Sequence, residues 1–216
     1  MQILSETKVM SGAVQGISAV VTAPFTDDAV LDLAAVLDGL VGKTFELLLV
    51  NPDPDSLKNL QQRYPHLPLH AADPNLAVAV TQAQQPLVLL ADGSGELDVF
   101  ELNHFLEAIE DGADLVIGYR PSTFERLAWS ALGHLLFGNT ARDVDCPFKL
   151  FRQSVWRRTS MEPHGVDRWF NTRLVVRARR GGFRIVELPV RPVQPGIRRA
   201  ANAPGSPSGE ARCRVA

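Results

Sequence analysis

Short, nearly continuous apolar runs recur along the first half of this chain. Each gives way to a polar turn and then to a stretch with helical spacing. Ile17–Thr22 (ISAVVT), Phe45–Val50 (FELLLV), Pro68–Ala71 and Pro86–Leu90 (PLVLL) are the runs. A β-branched or leucine-rich run with no polar alternation is buried on both faces, which is the condition of a strand inside a parallel sheet. The intervening segments Ala29–Leu40, Ser56–Tyr64, Asn75–Gln84 and Leu97–Gly112 carry apolar residues at helical spacing. Thr26, Asp27 and Asp28 supply N-cap chemistry ahead of the first of these helices, and Gly112 closes the fourth. Strands alternating with helices predict an α/β domain with a mainly parallel sheet covered by helices on both faces. Ligands of such sheets bind beyond the carboxyl ends of the strands, so the residues just after Val21, Val50 and Leu90 carry the functional information.

The second half adds a strand at Leu115–Gly118, a strongly apolar helix at Glu125–Leu136, an arginine-faced helix at Asp167–Arg180 and a strand at Phe183–Val190. At 216 residues there is room for one sizeable core, placed at 17–193. Residues 1–16 read as a loose start, and 194–216, rich in Pro, Gly, Ser, Ala and Arg, as a disordered tail. A net charge of −2 gives no global attraction to nucleic acid, although arginines crowd the stretch from Arg142 to Arg199. Cys146 and Cys213 do not form a disulfide framework, which suits a reducing cytoplasm. With no signal peptide and no apolar run long enough to span a bilayer, any membrane contact is peripheral, at the inner face.

Four blocks, in order, resemble the family-2 glycosyltransferases. Val20–Asp28 (VVTAPFTDD) is similar to that family's V-V-I-P-A-Y-N-E-E opening, and Gly112–Arg120 (GADLVIGYR) to its G-A-D-V-V-x-G-x-R strand. Arg142–Arg152 (RDVDCPFKLFR) is close to the D-x-x-C-G-F-K-L-F-R block, and Arg177–Val190 (RARRGGFRIVELPV) to the closing helix and strand. The nearest branch is that of the dolichol- and polyprenyl-phosphate glycosyltransferases. The resemblance implies a GT-A, Rossmann-like fold, a nucleotide-sugar donor, a lipid-phosphate or other small acceptor, and Mg2+ or Mn2+.

On the donor side the resemblance implies Pro24, Phe25 and Asp27 in the first loop, Asn51 and Asp53 in the second, and Asp92 and Ser94 after the fourth strand. Relatives place a D-x-D motif there, because a divalent cation that neutralises a leaving diphosphate takes hard oxygen ligands. Here Asp92 remains as the metal-binding candidate and Ser94 stands in place of the second carboxylate, so metal binding is expected to be weak or lost. An Asp-Gly-Ser triplet also makes a turn without any ligand. Asn51 occupies the slot of a base-contacting acid, and the prolines flanking Asp53 are equally those of a rigid turn.

On the acceptor side Asp143 is implied as base or orienter and Arg120 as the best phosphate-holding group, with Lys149 and Arg152 as further candidates. Asp143 could instead pair with a local arginine, and Lys149 and Arg152 could be alternating residues of a strand. Arg173 reverses the charge of a glutamate in relatives. The apolar face of the helix from Phe124 to Leu136 reads as core, with membrane contact as the minor reading. Two functions follow: transfer of a sugar from a nucleotide diphosphate to a polyprenyl phosphate or other small acceptor, or a catalytically inactive binding or regulatory domain that has lost its metal site. A third, a nucleotidyltransferase-like domain of the same general fold, has the late blocks against it.

Overall fold

The computed structural model describes residues 16–41, 44–121, 141–159 and 169–193. The expected helix at Glu125–Leu136, Cys213, both terminal segments and the start of the helix expected from Asp167 lie outside them. Seven strands form one sheet: β1 (Ile17–Thr22), β2 (Phe45–Val50), β3 (Leu69–Ala72), β4 (Leu87–Asp92), β5 (Leu115–Tyr119), β6 (Lys149–Arg152) and β7 (Ile185–Pro189). The helices are α1 (Asp27–Val41), α2 (Pro54–Arg63), α3 (Leu76–Gln82), α4 (Leu102–Glu110), α5 (Gln153–Thr159) and α6 (Phe170–Arg180). The strand order is β3-β2-β1-β4-β6-β5-β7. All neighbouring pairs are parallel except those of β6, which runs antiparallel to both β4 and β5.

The mainly parallel α/β architecture is the one the strand–helix alternation predicts. Strand β6 and helix α5 add to it, because four residues of KLFR carry too short a pattern to announce a direction. The fourth expected helix also begins later than its periodicity indicates. Leu97 bridges Pro192, Asp98 caps a turn of 3-10 helix at Val99–Glu101, and α4 starts at Leu102.

Successive residues of the central strands feed two apolar cores. Ile17, Ala19 and Val21 of β1 pack with Leu33 and Leu37 of α1, Leu60 of α2, and Phe105 and Leu106 of α4. Val20, Leu48, Val88 and Leu90 face the other core, built with Val80 of α3, Val155 of α5, and Phe170 and Leu174 of α6. Each large side chain so buried contributes about 1.5–3 kcal/mol relative to exposure. Phe148 meets Phe105 edge to face, with ring centroids 5.0 Å apart. At the amino end of the sheet, buried Glu46 accepts hydrogen bonds from Ser18 Oγ at 2.5 Å and from the Gln84 amide at 2.8 Å, which satisfies an otherwise costly burial. Among the described residues no helix is long and apolar enough to cross a membrane.

β5 and the loop entering β6 meet at Gly118, whose amide donates to the Phe148 carbonyl at 2.8 Å. A Cβ there would stand 2.8 Å from that carbonyl oxygen and from Val190 Cγ2, and 3.0 Å from Cys146 Sγ. Gly118→Ala is therefore expected to destabilise the fold by about 1–3 kcal/mol through overpacking, read as a lower urea midpoint with an unchanged slope.

Candidate functional site

Strands β1, β2, β4 and β5 run in one direction, so their carboxyl ends share one edge of the sheet. Antiparallel β6 enters at that same edge, and its preceding loop, residues 141–148, is delivered there too. The loops after β1 and β4 are joined through Gly93. Its amide donates to the Thr22 carbonyl, and its carbonyl accepts from the Thr26 amide, both at 2.9 Å. A Cβ on Gly93 would come within 2.7 Å of the Phe25 ring and 2.8 Å of the Pro24 carbonyl, so only glycine allows this approach.

Asp92 ends β4 half-buried. Its Oδ1 accepts from the Ser94 amide at 2.9 Å and its Oδ2 from Ser94 Oγ at 2.7 Å. Asp92 and Ser94 are thus brought together as a closed turn around Gly93. The first loop holds Phe25 against the core that contains α1, while Asp27 opens α1 and pairs with Arg63 at 2.7 Å in an exposed contact of little energetic weight. In the second loop, Asn51 takes a left-handed backbone (φ 51), which asparagine tolerates better than most residues. Asp53 is the N-cap of α2. Its Oδ2 accepts from the Ser56 amide and hydroxyl, and these bonds hold its carboxyl below the ordinary range. Pro54 sits at the first helical position, so the paired prolines mark a cap.

Arg120 and Asp143 lie face to face. Asp143 Oδ2 accepts from Arg120 Nε at 2.7 Å and from the Arg120 amide at 3.2 Å, while Oδ1 accepts from Nη2 at 3.0 Å. Burial pushes the Asp143 carboxyl up, but the hydrogen bonds from the Arg120 side chain and backbone outweigh it and hold the carboxyl below the ordinary range. The same hydrogen bond raises Arg120, against its own desolvation. A carboxylate so held is a poor proton acceptor at neutral pH and a good orienter of the guanidinium. Strand spacing puts the ends of β4 and β5, with β6 between them, roughly 10 Å apart.

Two expected acceptor-side residues are not brought to this edge as ligand-facing groups. Lys149 is fully buried at the start of β6, its Nζ donating to the Cys146 carbonyl. Arg152 sits at the other end of β6, in register with Leu87 at the start of β4, and donates to the Ala113 and Ile109 carbonyls. The antiparallel direction of β6 separates the two: a parallel strand would have carried Arg152 to the carboxyl edge. Arg173 lies half-buried on α6, between the buried Phe170 and Leu174.

A cavity of about 340 Å³ opens between α1 and the loop after β4, lined by Thr26, Asp32, Asp92, Ser94, Phe100 and Arg191 among others. It shares Asp92 and Ser94 with the expected donor side but not Pro24, Phe25, Asn51 or Asp53. Desolvation raises the Asp32 carboxyl. The sequence reading does not single out Asp32 or Arg191. Asp32 and Arg191 form no motif, and α1 and the segment after β7 bring them to one cavity. Arg142, the first residue of the RDVDCPFKLFR block, has its guanidinium 5.1 Å from the centroid of the Tyr119 ring, and its amide donates to Glu187.

Among the described residues no group of three or more His, Cys, Asp or Glu is arranged to hold a metal ion. The donor set after β4 is one carboxylate and one hydroxyl, and it fits a hard divalent cation only where phosphate oxygens complete the shell.

This sheet and its helices define the fold of the nucleotide-diphospho-sugar transferases. The chain resembles glucosyl-3-phosphoglycerate synthase from Mycobacterium tuberculosis, solved with phosphoglyceric acid, at 16% identity and TM-score 0.60, covering 84% of this chain and 72% of that one. Mannosyl-3-phosphoglycerate synthase from Rubrobacter xylanophilus matches at 12% identity and TM-score 0.60, covering 85% and 68%. A mannosyltransferase from Pyrobaculum calidifontis, solved with GDP-Man and Mn2+, matches at 13% identity and TM-score 0.59, covering 86% and 58%. No family model matches the chain, and no curated protein matches it in sequence.

Asp143→Asn weakens a charge-assisted pair and is expected to cost about 1.5–3 kcal/mol in chemical denaturation at neutral pH. Because the folded carboxyl lies below its ordinary value of 3.8, the pair's contribution is present above that pH and is lost as the pH falls through the folded value. The gap between wild type and variant should therefore close on the acid side.

Proposed function

We propose that this protein is a glycosyltransferase that moves a sugar from a nucleoside-diphosphate donor to a small phosphorylated acceptor. The observation that carries the reading is the shared edge at which the Asp92 turn and the Arg120–Asp143 pair converge. The donor lies over the loops after β1, β2 and β4, with Pro24, Phe25 and Asp27 shaping one wall and Asn51 offering its amide to the base edge. Asp53 is the helix cap beside that wall. Asp92 would hold Mg2+ or Mn2+ together with the donor diphosphate, the ion neutralising charge on the leaving group. Ser94 orients the Asp92 carboxylate through its hydroxyl.

Arg120 presents to the acceptor phosphate the edge of its guanidinium that Asp143 leaves open, and Asp143 orients it. Where the attacking oxygen is itself a phosphate oxygen there is no proton to remove, which agrees with a carboxylate committed to an arginine. The structural neighbours that act on phosphoglycerate support a small phosphorylated acceptor, and the polyprenyl-phosphate resemblance supports a lipid phosphate reached by peripheral contact at the cytoplasmic face. The alternative, a catalytically inactive binding or regulatory domain of the same fold that has lost its metal site, draws its support from one feature: both Asp92 oxygens are taken by Ser94.

The two readings separate in one series. GDP or UDP with Mn2+ at about 100 times its Kd should stabilise the protein by about 2.7 kcal/mol, seen as a rise in Tm, with Asp92→Ala removing the effect of the metal. Ser94→Asp, which restores a second carboxylate, should strengthen the metal dependence. Release of nucleoside diphosphate from a nucleotide sugar only when a phosphorylated acceptor is added supports transfer. Binding without release supports the inactive domain, and no Tm shift with any nucleotide diphosphate sinks the transferase reading.

A further inference from the structure

β6 begins with a cation where a strand inside a sheet ordinarily has an apolar residue. Lys149 is fully buried, in register with Leu90 of β4 on one side and Ile117 of β5 on the other. An ammonium is retained in such a place only when it has partners, because its desolvation is costly. The Lys149 ammonium donates to the Cys146 carbonyl three residues earlier. The Cys146 amide in turn donates to the Asp143 carbonyl at 3.1 Å, so the turn from Asp143 to Cys146 is tied at both ends. The Asp143 carboxylate leaves this turn to reach Arg120.

We propose that Lys149 is a positioning residue for the Arg120–Asp143 pair: by gripping the Cys146 carbonyl it fixes the turn that sets the Asp143 carboxylate, and hence the Arg120 guanidinium, at the sheet edge. The charges support the geometry. Asp143, Asp145 and the Cys146 thiol act on Lys149 from the incoming loop, and Arg120 acts on it from the end of β5. Two acids and two cations balance, so removing the lysine charge leaves Asp143 and Asp145 with Arg120 alone. A methionine of similar length fills the space but offers the Cys146 carbonyl no donor.

Burial pushes Lys149 down to about 8, with Cys146, Asp143 and Asp145 opposing and Arg120 adding to the fall. The ammonium is thus present at neutral pH and lost as the pH rises through about 8, well before an exposed lysine would titrate near its ordinary value of 10.5. Loss of that charge alters the electrostatic setting of Arg120 without any change at Arg120 itself. The Cys146 thiol is pushed up by burial, so it titrates on the alkaline side of its ordinary value of 9.0.

The test needs no ligand. The 13Cζ resonance of Arg120, assigned by its absence from Arg120→Lys, is followed by carbon-detected NMR from neutral into alkaline pH. Wild type is expected to show a step with its midpoint near 8, and Cys146→Ala to keep it. Lys149→Met and Lys149→Arg are expected to lose it. Should Lys149→Met fail to fold, Lys149→Arg, which keeps the charge but does not titrate in this range, carries the comparison. A flat wild-type profile overturns the proposal, and so does a step that survives in Lys149→Arg. A second arm rests on the phosphate-holding reading of Arg120. Inorganic pyrophosphate, measured by calorimetry, should bind several-fold more weakly above the step in wild type and show no such change in Lys149→Arg. Absence of pyrophosphate binding at any pH defeats the phosphate site and leaves the Arg120 titration to decide the role of Lys149.

Discussion

Strand β6 is the constraint on which the candidate site depends. It lies between two strands that are parallel to each other, and it runs against both. Had β4 and β5 been direct neighbours, the ends carrying Asp92 and Tyr119 would stand one strand spacing apart, too close for a substrate between them. The inserted strand opens that gap. Because it runs backwards, it brings the loop of residues 141–148 to the edge where β4 and β5 end. One change of direction thus places Asp143 against Arg120 and takes Arg152 away to the opposite edge, onto the carbonyls near the end of α4.

The donor-side loops are organised by backbone contacts. Gly93 is hydrogen-bonded to Thr22 and Thr26, and the space a Cβ would need is already filled by Pro24 and Phe25. The first and fourth loops are thereby one unit, and Asp92 is held at its margin. The Asp-Gly-Ser sequence there has two meanings that coexist. It is a closed turn, with both carboxylate oxygens accepting from Ser94, and it also lines the cavity between α1 and the loop after β4. A hydroxyl that donates to its neighbour leaves the local charge at −1, where a second carboxylate would have repelled the first and called for a cation.

Much of the sheet was legible because burial on both faces removes alternation. FELLLV and PLVLL can be little else when each is bounded by a turn and followed by helical spacing. The Asp53 cap was legible as a rigid turn from its prolines, and Thr26 as an N-cap from its chemistry. KLFR was not legible as an antiparallel strand: four residues fit either direction, and the partners that decide lie about thirty and sixty positions earlier in the chain. Nor could charge alone tell which cation faces a ligand. By resemblance Lys149 is a further phosphate-holding candidate alongside Arg120, yet it is fully buried while Arg120 stands partly exposed at the edge.

The sequence by itself determined the α/β class, the succession of elements, and the set of loops in which polar residues could meet. These follow from local periodicity and turn chemistry, which act over a few residues. Only the tertiary structure decided that β6 runs antiparallel, that Asp143 is committed to Arg120, that Lys149 is buried with its ammonium on the Cys146 carbonyl, and that Arg152 belongs to the far edge. Those outcomes depend on strand order and register, set by the joint packing of two cores against one sheet, and no short stretch of residues encodes that packing alone.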